Sequence, residues 1–571
     1  MLFPMYTLAV EKLLEMTQME PHEQLKERGD IILFDGSIGN AAFVSHQWVS
    51  KGHPDPDLKQ MRVLQDAVKH FLSGNGFISL DVVTESLMQS AKGIPFQEFR
   101  AKVLFFWYDY FSVPQTDRCE QTKAINSIHA YVEQCRYFFA LCPTIECHFE
   151  GRMLNVTTWS TRGWCRLERA ARELSEHDTW ILVRSSTSVE VVGAAVSGSV
   201  GEGEFTVESD RAKLAPVMKA IVQRKLMLSL KAGDFPAYRR HLNLQAVHLR
   251  GLEIEPVSDL VPGISGADMP GMVAHFFRQN GLTKVSRRDA AGWWPLHYAA
   301  FSGNVQLIEG LLQQRADPNC RTTRDEAKLG FPPWASALDI AVRYRHNEAA
   351  QLLIAFRAEV HGGMVPAVQF AAIADNAEGI GLLCAAGGDA MARTALGPNG
   401  LEAAAGYGAL KAVEELVRQG RPDHLELSEA LRAAMVLGGG SAELVKRLVD
   451  LRADVDFQYD IYRGLTLMGR LVYAAKSLQH RLGRKTSFSA LAYHAHGQTP
   501  LMAAMQSAQH EGAAALIALN ASLEMRNCRA WRAADFVQGQ AIPEFLQQAL
   551  EGNPAECQKL LNSHFVVAEA L

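Results

Sequence analysis

No run in this chain approaches the roughly 18 consecutive apolar residues that a bilayer-spanning helix needs, so nothing in it reads as a membrane span. Nine cysteines are scattered without a CxxC pair or a His/Cys cluster at ligand spacing. That pattern excludes a zinc ribbon, gives no metal site, and fits reduced thiols in a cytoplasmic protein better than a disulfide framework. Charge of either sign is also short. A net charge of −5 and an isoelectric point near 6.5 give no global footprint for nucleic acid or an anionic membrane, so neither is expected as a partner. The first residues, MLFPMYTLAVEKLLEM, have no basic leader and carry Glu11 and Glu15. They read as an amphipathic helix within residues 1–30, not as a signal peptide. What is there is ample: 571 residues, 48 % hydrophobic and 21 % charged, enough for several soluble domains.

Between residues 31 and 190, strand-like apolar runs alternate with helical periodicity. Ile31–Phe34, Ala41–Val44, Val103–Tyr110, Tyr137–Leu141 and Trp180–Val183 suit strands, and Met61–Leu72 and Ala124–Cys135 suit helices. Such alternation implies a mostly parallel sheet covered on both faces. Polar clusters stand at Ser45–Trp48, Asp109–Gln115 and Arg162–Glu168, after the strands, where open α/β sheets bind ligands. In a helix from Trp164 onward, Trp164, Leu167, Ala170, Ala171 and Leu174 share an apolar arc, while Arg166, Arg169, Glu173 and Glu176 lie opposite. Glu168 borders the apolar arc. A carboxylate losing hydration there rises in pKa and becomes a candidate acid or charge stabiliser, whereas an i,i+4 pair with Arg172 would make it ordinary.

The order FVSHQW, WYDYFSVPQ, a helix into YFFALCP, then RGWCRLE resembles a Toll/interleukin-1 receptor (TIR) domain, with Trp164, Cys165 and Glu168 matching its W-C-x-x-E motif. It is similar as well to the related HET domain, through Ser45/Trp48, Trp107/Asp109/Gln115 and Arg162/Trp164/Glu168. The resemblance implies a flavodoxin-like α/β fold and, in many members, hydrolysis of NAD⁺ at the nicotinamide–ribose bond through the glutamate that maps onto Glu168. NAD⁺ would then be a substrate and no resident cofactor is implied. A carboxylate in a poorly hydrated crevice stabilises the positive charge that builds on the ribose, and the cationic nicotinamide leaves without needing a proton.

Ser45, His46, Gln47, Trp48, Asp109, Arg162 and Trp164 are the accompanying candidates for binding the dinucleotide. Trp48 or Trp164 would stack on a ring, or serve as core. His46 and Arg162 would meet phosphate or ribose, or be a loop-bonded histidine and a solvated arginine. Asp109 is expected to accept backbone N–H groups, and Cys165 to be a small core residue. One departure stands out. Ser112–Gln121 lacks the glycine usual in the TIR loop that governs self-association and access, which puts homo-oligomerisation through this domain in question.

The glycine- and serine-rich Val191–Glu204 marks an exit from the sheet, Lys213–Leu228 reads as a helix, and residues 191–285 are otherwise connecting structure. Gly292–Asn319 resembles an ankyrin repeat, Pro295, Leu296, His297 and Ala299 filling the T-P-L-H-x-A pattern. Further copies start near Ala337, Leu401 and Thr499, and degenerate ones near Val368 and Leu431, with an insertion over residues 464–496 that carries the basic tract His480–Lys485. Each repeat leaves an apolar face to be covered by the next, so residues 286–565 should form an all-α solenoid whose concave face takes a protein partner or restrains the first domain. The expectation is a signalling protein with an NAD⁺-hydrolysing domain of the kind used in innate immunity; the alternative is a non-enzymatic adaptor.

Overall fold

The computed structural model describes residues 1–88, 90–147, 150–193, 198–258, 260–261 and 268–568, with the side chains of 562–568 excepted. Part of the expected exit at Val191–Glu204, residues 194–197, falls outside them.

Among the described residues, nine strands share one sheet in the order β2-β1-β6-β3-β7-β10-β11-β4-β5. They are β1 Tyr6–Ala9, β2 Ile31–Leu33, β3 Asn40–Ser45, β4 Phe77–Leu80, β5 Ile94–Pro95, β6 Leu104–Tyr108, β7 Tyr137–Leu141, β10 Trp180–Val183 and β11 Val189–Val192. A small hairpin, β8 Ile145–Cys147 and β9 Arg152–Leu154, stands apart. The four central strands β6, β3, β7 and β10 are parallel, while β2, β1 and β5 pair antiparallel at the margins and β11 runs against β10. The sheet is therefore mixed: its doubly covered centre is parallel, and one further parallel pair, β11 with β4, lies beyond the antiparallel β10–β11 step.

That double cover follows from the side chains. Phe43, Trp107, Phe138 and Leu182 point to one face, and Val44, Tyr108, Phe139 and Val183, one residue on, to the other. Helices Ile128–Gln134, Gly163–Glu173 and Asp210–Lys231 close the first layer, and Lys59–Ser73 with Phe96–Arg100 the second.

Three expectations are corrected. The N-terminus is not one helix: Tyr6–Ala9 pairs with both Ile31–Leu33 and Leu104–Tyr108, and only Val10–Glu15 and His22–Arg28 are helical. A β-pairing partner in space outweighed the local helical period. The helix expected over Ala124–Cys135 is two, Arg118–Ile125 and Ile128–Gln134, parted where the Ser127 hydroxyl takes the Leu2 and Phe3 amides at 2.7 and 3.2 Å. Residues 191–285 are not mere connection. Val189–Val192 continues the sheet, Asp210–Lys231 buries Leu214, Met218, Val222 and Leu226 in the sheet's core, and Met269–Asn280 buries Val273 and Phe276 in the solenoid's.

Among the described residues the second half stacks six helix pairs, from Pro295–Ser302 with Val305–Gln313 to Pro500–Gln506 with His510–Ala518, and a further pair, Glu544–Leu550 with Ala555–Ala568, closes the end of the stack. The degenerate copies near Val368 and Leu431 are complete pairs, Ala367–Ile373 with Ala377–Ala385 and His424–Leu437 with Ala442–Asp450. One apolar core runs continuously through them, as stacking requires. The insertion folds as a hairpin of Leu467–Arg481 and Ser487–His494.

The solenoid lies against the sheet domain. Glu85 accepts from Lys476 at 2.5 Å, from the Thr486 hydroxyl at 2.9 Å and from the Phe488 amide at 3.3 Å. Lys328 pairs with Asp178, Arg345 with Glu202, and Asn155 donates to Glu511. Between the halves lies a cavity of about 750 Å³, lined by Asp81, Arg169, Trp180 and Arg184 on one side and by Tyr407, Gly438, Lys485 and Trp531 on the other. No helix among the described residues is long and apolar enough to cross a membrane.

Candidate active site

Five of the eight residues singled out from the sequence come together at the C-terminal ends of β3 and β6. β3 ends on Ser45, so Ser45, His46 and Gln47 leave the sheet from a fully buried strand. β6 ends on Tyr108, and Asp109 opens a single helical turn, Asp109–Ser112. His46 Nε2 donates to Asp109 Oδ1 at 2.8 Å, and the Trp48 indole donates to Oδ2, also at 2.8 Å. The Tyr108 ring stacks on His46 at 3.9 Å with its hydroxyl 3.1 Å from Nδ1.

Glu168 closes the cluster from the helix Gly163–Glu173. Its carboxyl is favoured as the anion by the Ser45 hydroxyl, and that Oγ accepts the Trp159 indole N–H at 2.9 Å. The i,i+4 pair with Arg172 does not form. Arg172 is buried and donates to the carbonyls of Thr179, Cys135 and Arg136 at 2.7, 2.9 and 3.0 Å, tying helix to strand ends. Arg169, placed on the solvent face by periodicity, is also buried, over the Trp159 ring at 5.6 Å. A helical wheel assumes that one side meets water; here the solenoid covers that side, and Arg169 faces the cavity between the halves.

Electrostatics divide the acids. Burial lifts Glu168 to about 8, and the Asp109 charge adds to the lift, against the pull of Ser45 and His46. Burial also works on Asp109 and His46, yet their mutual attraction prevails: Asp109 is held below and His46 above the usual value. The pair is lopsided, because the His46 side chain is 2 % exposed and that of Asp109 34 %, so solvent screens the aspartate and not the histidine. The cluster thus sets a histidine whose charged form is favoured and a carboxylate beside a Glu168 that stays largely protonated near neutrality. Cys165 lies beside them with burial pushing its thiol far up, which removes it as a nucleophile and fits the core role expected of it.

The other three candidates are engaged. Gln47 donates to the Asn155 carbonyl at 3.1 Å, and its buried Oε1 has no hydrogen-bond partner among the described residues. Arg162 is not a solvated arginine: it pairs with Glu150 at 2.8 Å and donates to Thr206 at 2.7 Å. Trp164 donates to Asp210 at 3.1 Å and packs on the Asp210–Lys231 helix. Asp109 takes an indole and an imidazole, and the Tyr110 backbone N–H, a donor of the kind expected of it, also favours its anion.

Three contributors escaped sequence reasoning. Tyr108 stands in the sequence only as strand filling, and neither Trp159 nor Asp55 has a role assigned to it there. Asp55 is buried, accepts the Met61 amide at 2.8 Å, and its carboxyl is raised by burial while feeling His46. The alternation of WYDY does carry a signal for Tyr108, since the residue before a strand-end aspartate lies on the opposite face from Trp107. Among the described residues no group of three or more His, Cys, Asp and Glu is arranged to hold a metal ion.

Comparison with known proteins adds to the second half. Residues 291–323 match the model of the ankyrin repeat. Among solved structures, the human ASB11 ankyrin repeat domain is similar over 45 % of this chain and 97 % of that one, at 21 % identity and a TM-score of 0.33. No curated protein matches the chain.

Proposed function

We propose that the sheet domain is a TIR-like hydrolase of the nicotinamide–ribose bond of NAD⁺, acting through Glu168, and that the ankyrin solenoid restrains it while offering a surface to a protein partner. The observation that carries this reading is Glu168 itself: a carboxyl lifted to about 8 that feels Ser45 at a strand end and the His46–Asp109 pair. The four central parallel strands, which lie in the order 2-1-3-4 when numbered along the chain and reverse at β3, support a flavodoxin-like reading.

The raised pKa alters the mechanism expected from the motif. A neutral Glu168 cannot by itself stabilise a ribosyl cation. An arriving pyridinium favours the anion, so the proton leaves to solvent as the substrate binds. The C1′–N1 bond then breaks with its electron pair going to the ring nitrogen, which leaves as neutral nicotinamide. The carboxylate holds the charge on C1′ until water adds there and releases a proton.

Release of nicotinamide from NAD⁺ by the full chain, assayed under crowding, tests the reading. Glu168→Ala should lower the rate on the order of 10²–10⁴-fold. Equal background rates in both proteins would support a second reading, a non-enzymatic adaptor working through homotypic and ankyrin contacts. One observation favours that alternative: Arg162 and Trp164 are already tied to Glu150 and Asp210.

A further inference from the structure

The insertion between the fifth and sixth helix pairs has a composition unlike the rest of the chain. Residues 461–498 contain no Asp or Glu, against six Lys or Arg, in a protein of net charge −5. The long helix of the hairpin, Leu467–Arg481, is fixed on its inner side by the Lys476–Glu85 pair and by Tyr473 against Phe488, ring centroids 5.7 Å apart.

Its outer side is bare. Leu467, Met468, Leu471, Leu478 and Leu482 are each between 53 and 73 % exposed, and the exposed Ala474 and Ala475 fill the gap between them. At four-, three- and four-residue steps these side chains form one unbroken ridge along a helix of about 22 Å. Isolated exposed leucines need no explanation; a contiguous stripe marks an interaction surface.

Charge identifies the partner. Arg463 is held by Asp423 and Glu429, and Lys476 by Glu85. Arg470, Arg481 and Arg484, which flank the ridge, and Lys485, which follows them at the mouth of the cavity between the halves, have no ion-pair partner among the described residues. A second copy of this chain would set the same cations against each other. The ridge is a single convex helix without a groove wall, so an acidic peptide helix would meet it along one line only. A fluid anionic surface suits both features, since an amphipathic helix sinks its leucines to the headgroup boundary while lysines and arginines neutralise phosphates.

We propose that the Leu467–Leu482 ridge is a peripheral docking site for an anionic lipid bilayer. The absence of a membrane partner expected from whole-chain charge is overridden locally, because the fold gathers the uncompensated cations beside one apolar face.

Co-sedimentation of the full chain with phosphatidylcholine vesicles, with or without about 30 mol % phosphatidylserine, tests this. Binding should require the anionic lipid and weaken with salt. Leu471→Glu with Leu478→Glu, both on the exposed face, should lower the partition on the order of a hundredfold. Arg481→Gln, Arg484→Gln and Lys485→Gln together should lower it on the order of a hundredfold and flatten its salt dependence. A circular-dichroism melt confirms that each variant is folded. Equal binding of wild type and the Leu471→Glu/Leu478→Glu variant, or no binding to anionic vesicles, would overturn the proposal. Light scattering that shows a dimer split by the same two substitutions would overturn it too, assigning the ridge to self-association.

Discussion

Glu168 in the sheet domain and Glu402 in the solenoid have nearly the same titration and opposite employment. Burial lifts the first to about 8 and the second to about 7, helped in one case by Asp109 and in the other by Glu429. Yet Glu402 accepts the Asn399 amide at 3.1 Å while Asn399 accepts the Glu402 amide at 3.0 Å, a reciprocal cap that starts the helix Gly400–Gly406. Glu402 occupies the histidine position of T-P-L-H-x-A. In the other pairs that position is His297, Asp339, Gln369, Arg432 and Met502, every one buried. His297 reaches the Cys320 carbonyl at 3.2 Å, Gln369 the Pro398 carbonyl at 2.7 Å and Arg432 the Gln498 side chain at 2.8 Å. A buried polar group recurring with the repeat fastens turns. A shifted pKa therefore marks burial first, and only the company a group keeps marks chemistry.

The sharpest way to break this contrast is kinetic. Glu402→Gln should leave nicotinamide release unchanged, whereas Glu168→Gln should reduce it on the order of 10²–10⁴-fold; equal losses would erase the distinction.

Stability against pH should, by contrast, treat the two alike. Between the ordinary carboxyl value and its raised one, each glutamate keeps in the folded protein a proton that the unfolded chain gives up. Stability accordingly falls as pH rises across that window and levels off above it. Glu168→Gln removes this loss and should gain on the order of 3 kcal/mol in urea unfolding at pH 9 relative to pH 5. Glu402→Gln should gain on the order of 2 kcal/mol over the same interval. A flat difference for Glu168→Gln would mean that its carboxyl is not raised.

The His46–Asp109 pair combines both signs. The raised His46 contributes fully below its unfolded value and loses that contribution as pH rises through its higher folded one. The depressed Asp109 contributes above its unfolded value and loses it as pH falls. Asp109→Asn should therefore cost most in the mildly acidic range between the two, about 2 kcal/mol after allowing for solvent at the aspartate, and less at alkaline pH, as thermal melts across pH would record.

The smallest effect concerns the contact between the halves. Glu85→Ala removes the acceptor shared by Lys476, Thr486 and Phe488 and should cost about 1 kcal/mol locally, seen as faster amide exchange over residues 467–494. Unchanged exchange would mean that the hairpin is held by its apolar contacts alone.

Much of both halves was legible in advance. The central strands fell within a residue or two of Ala41–Val44, Val103–Tyr110, Tyr137–Leu141 and Trp180–Val183, because a strand buried on both faces must be apolar throughout. The repeats were visible because each must leave the same face for its neighbour. Strand β1 was not, since four residues carry too few alternations to outvote a helical reading, nor was β11, whose end runs into the glycine-rich exit from the sheet.

The sequence by itself determined the layers, the repeat and the motif residues, because burial patterns and turn chemistry are local. Tertiary structure alone decided that Glu168 meets Ser45 instead of Arg172, that Arg162 and Trp164 are drawn off to Glu150 and Asp210, and that the solenoid covers Arg169. Those outcomes depend on which surfaces come together from outside the helix, 12 residues away for Glu150, 46 for Asp210 and more than a hundred for Ser45, and periodicity along one helix contains no record of what packs against it.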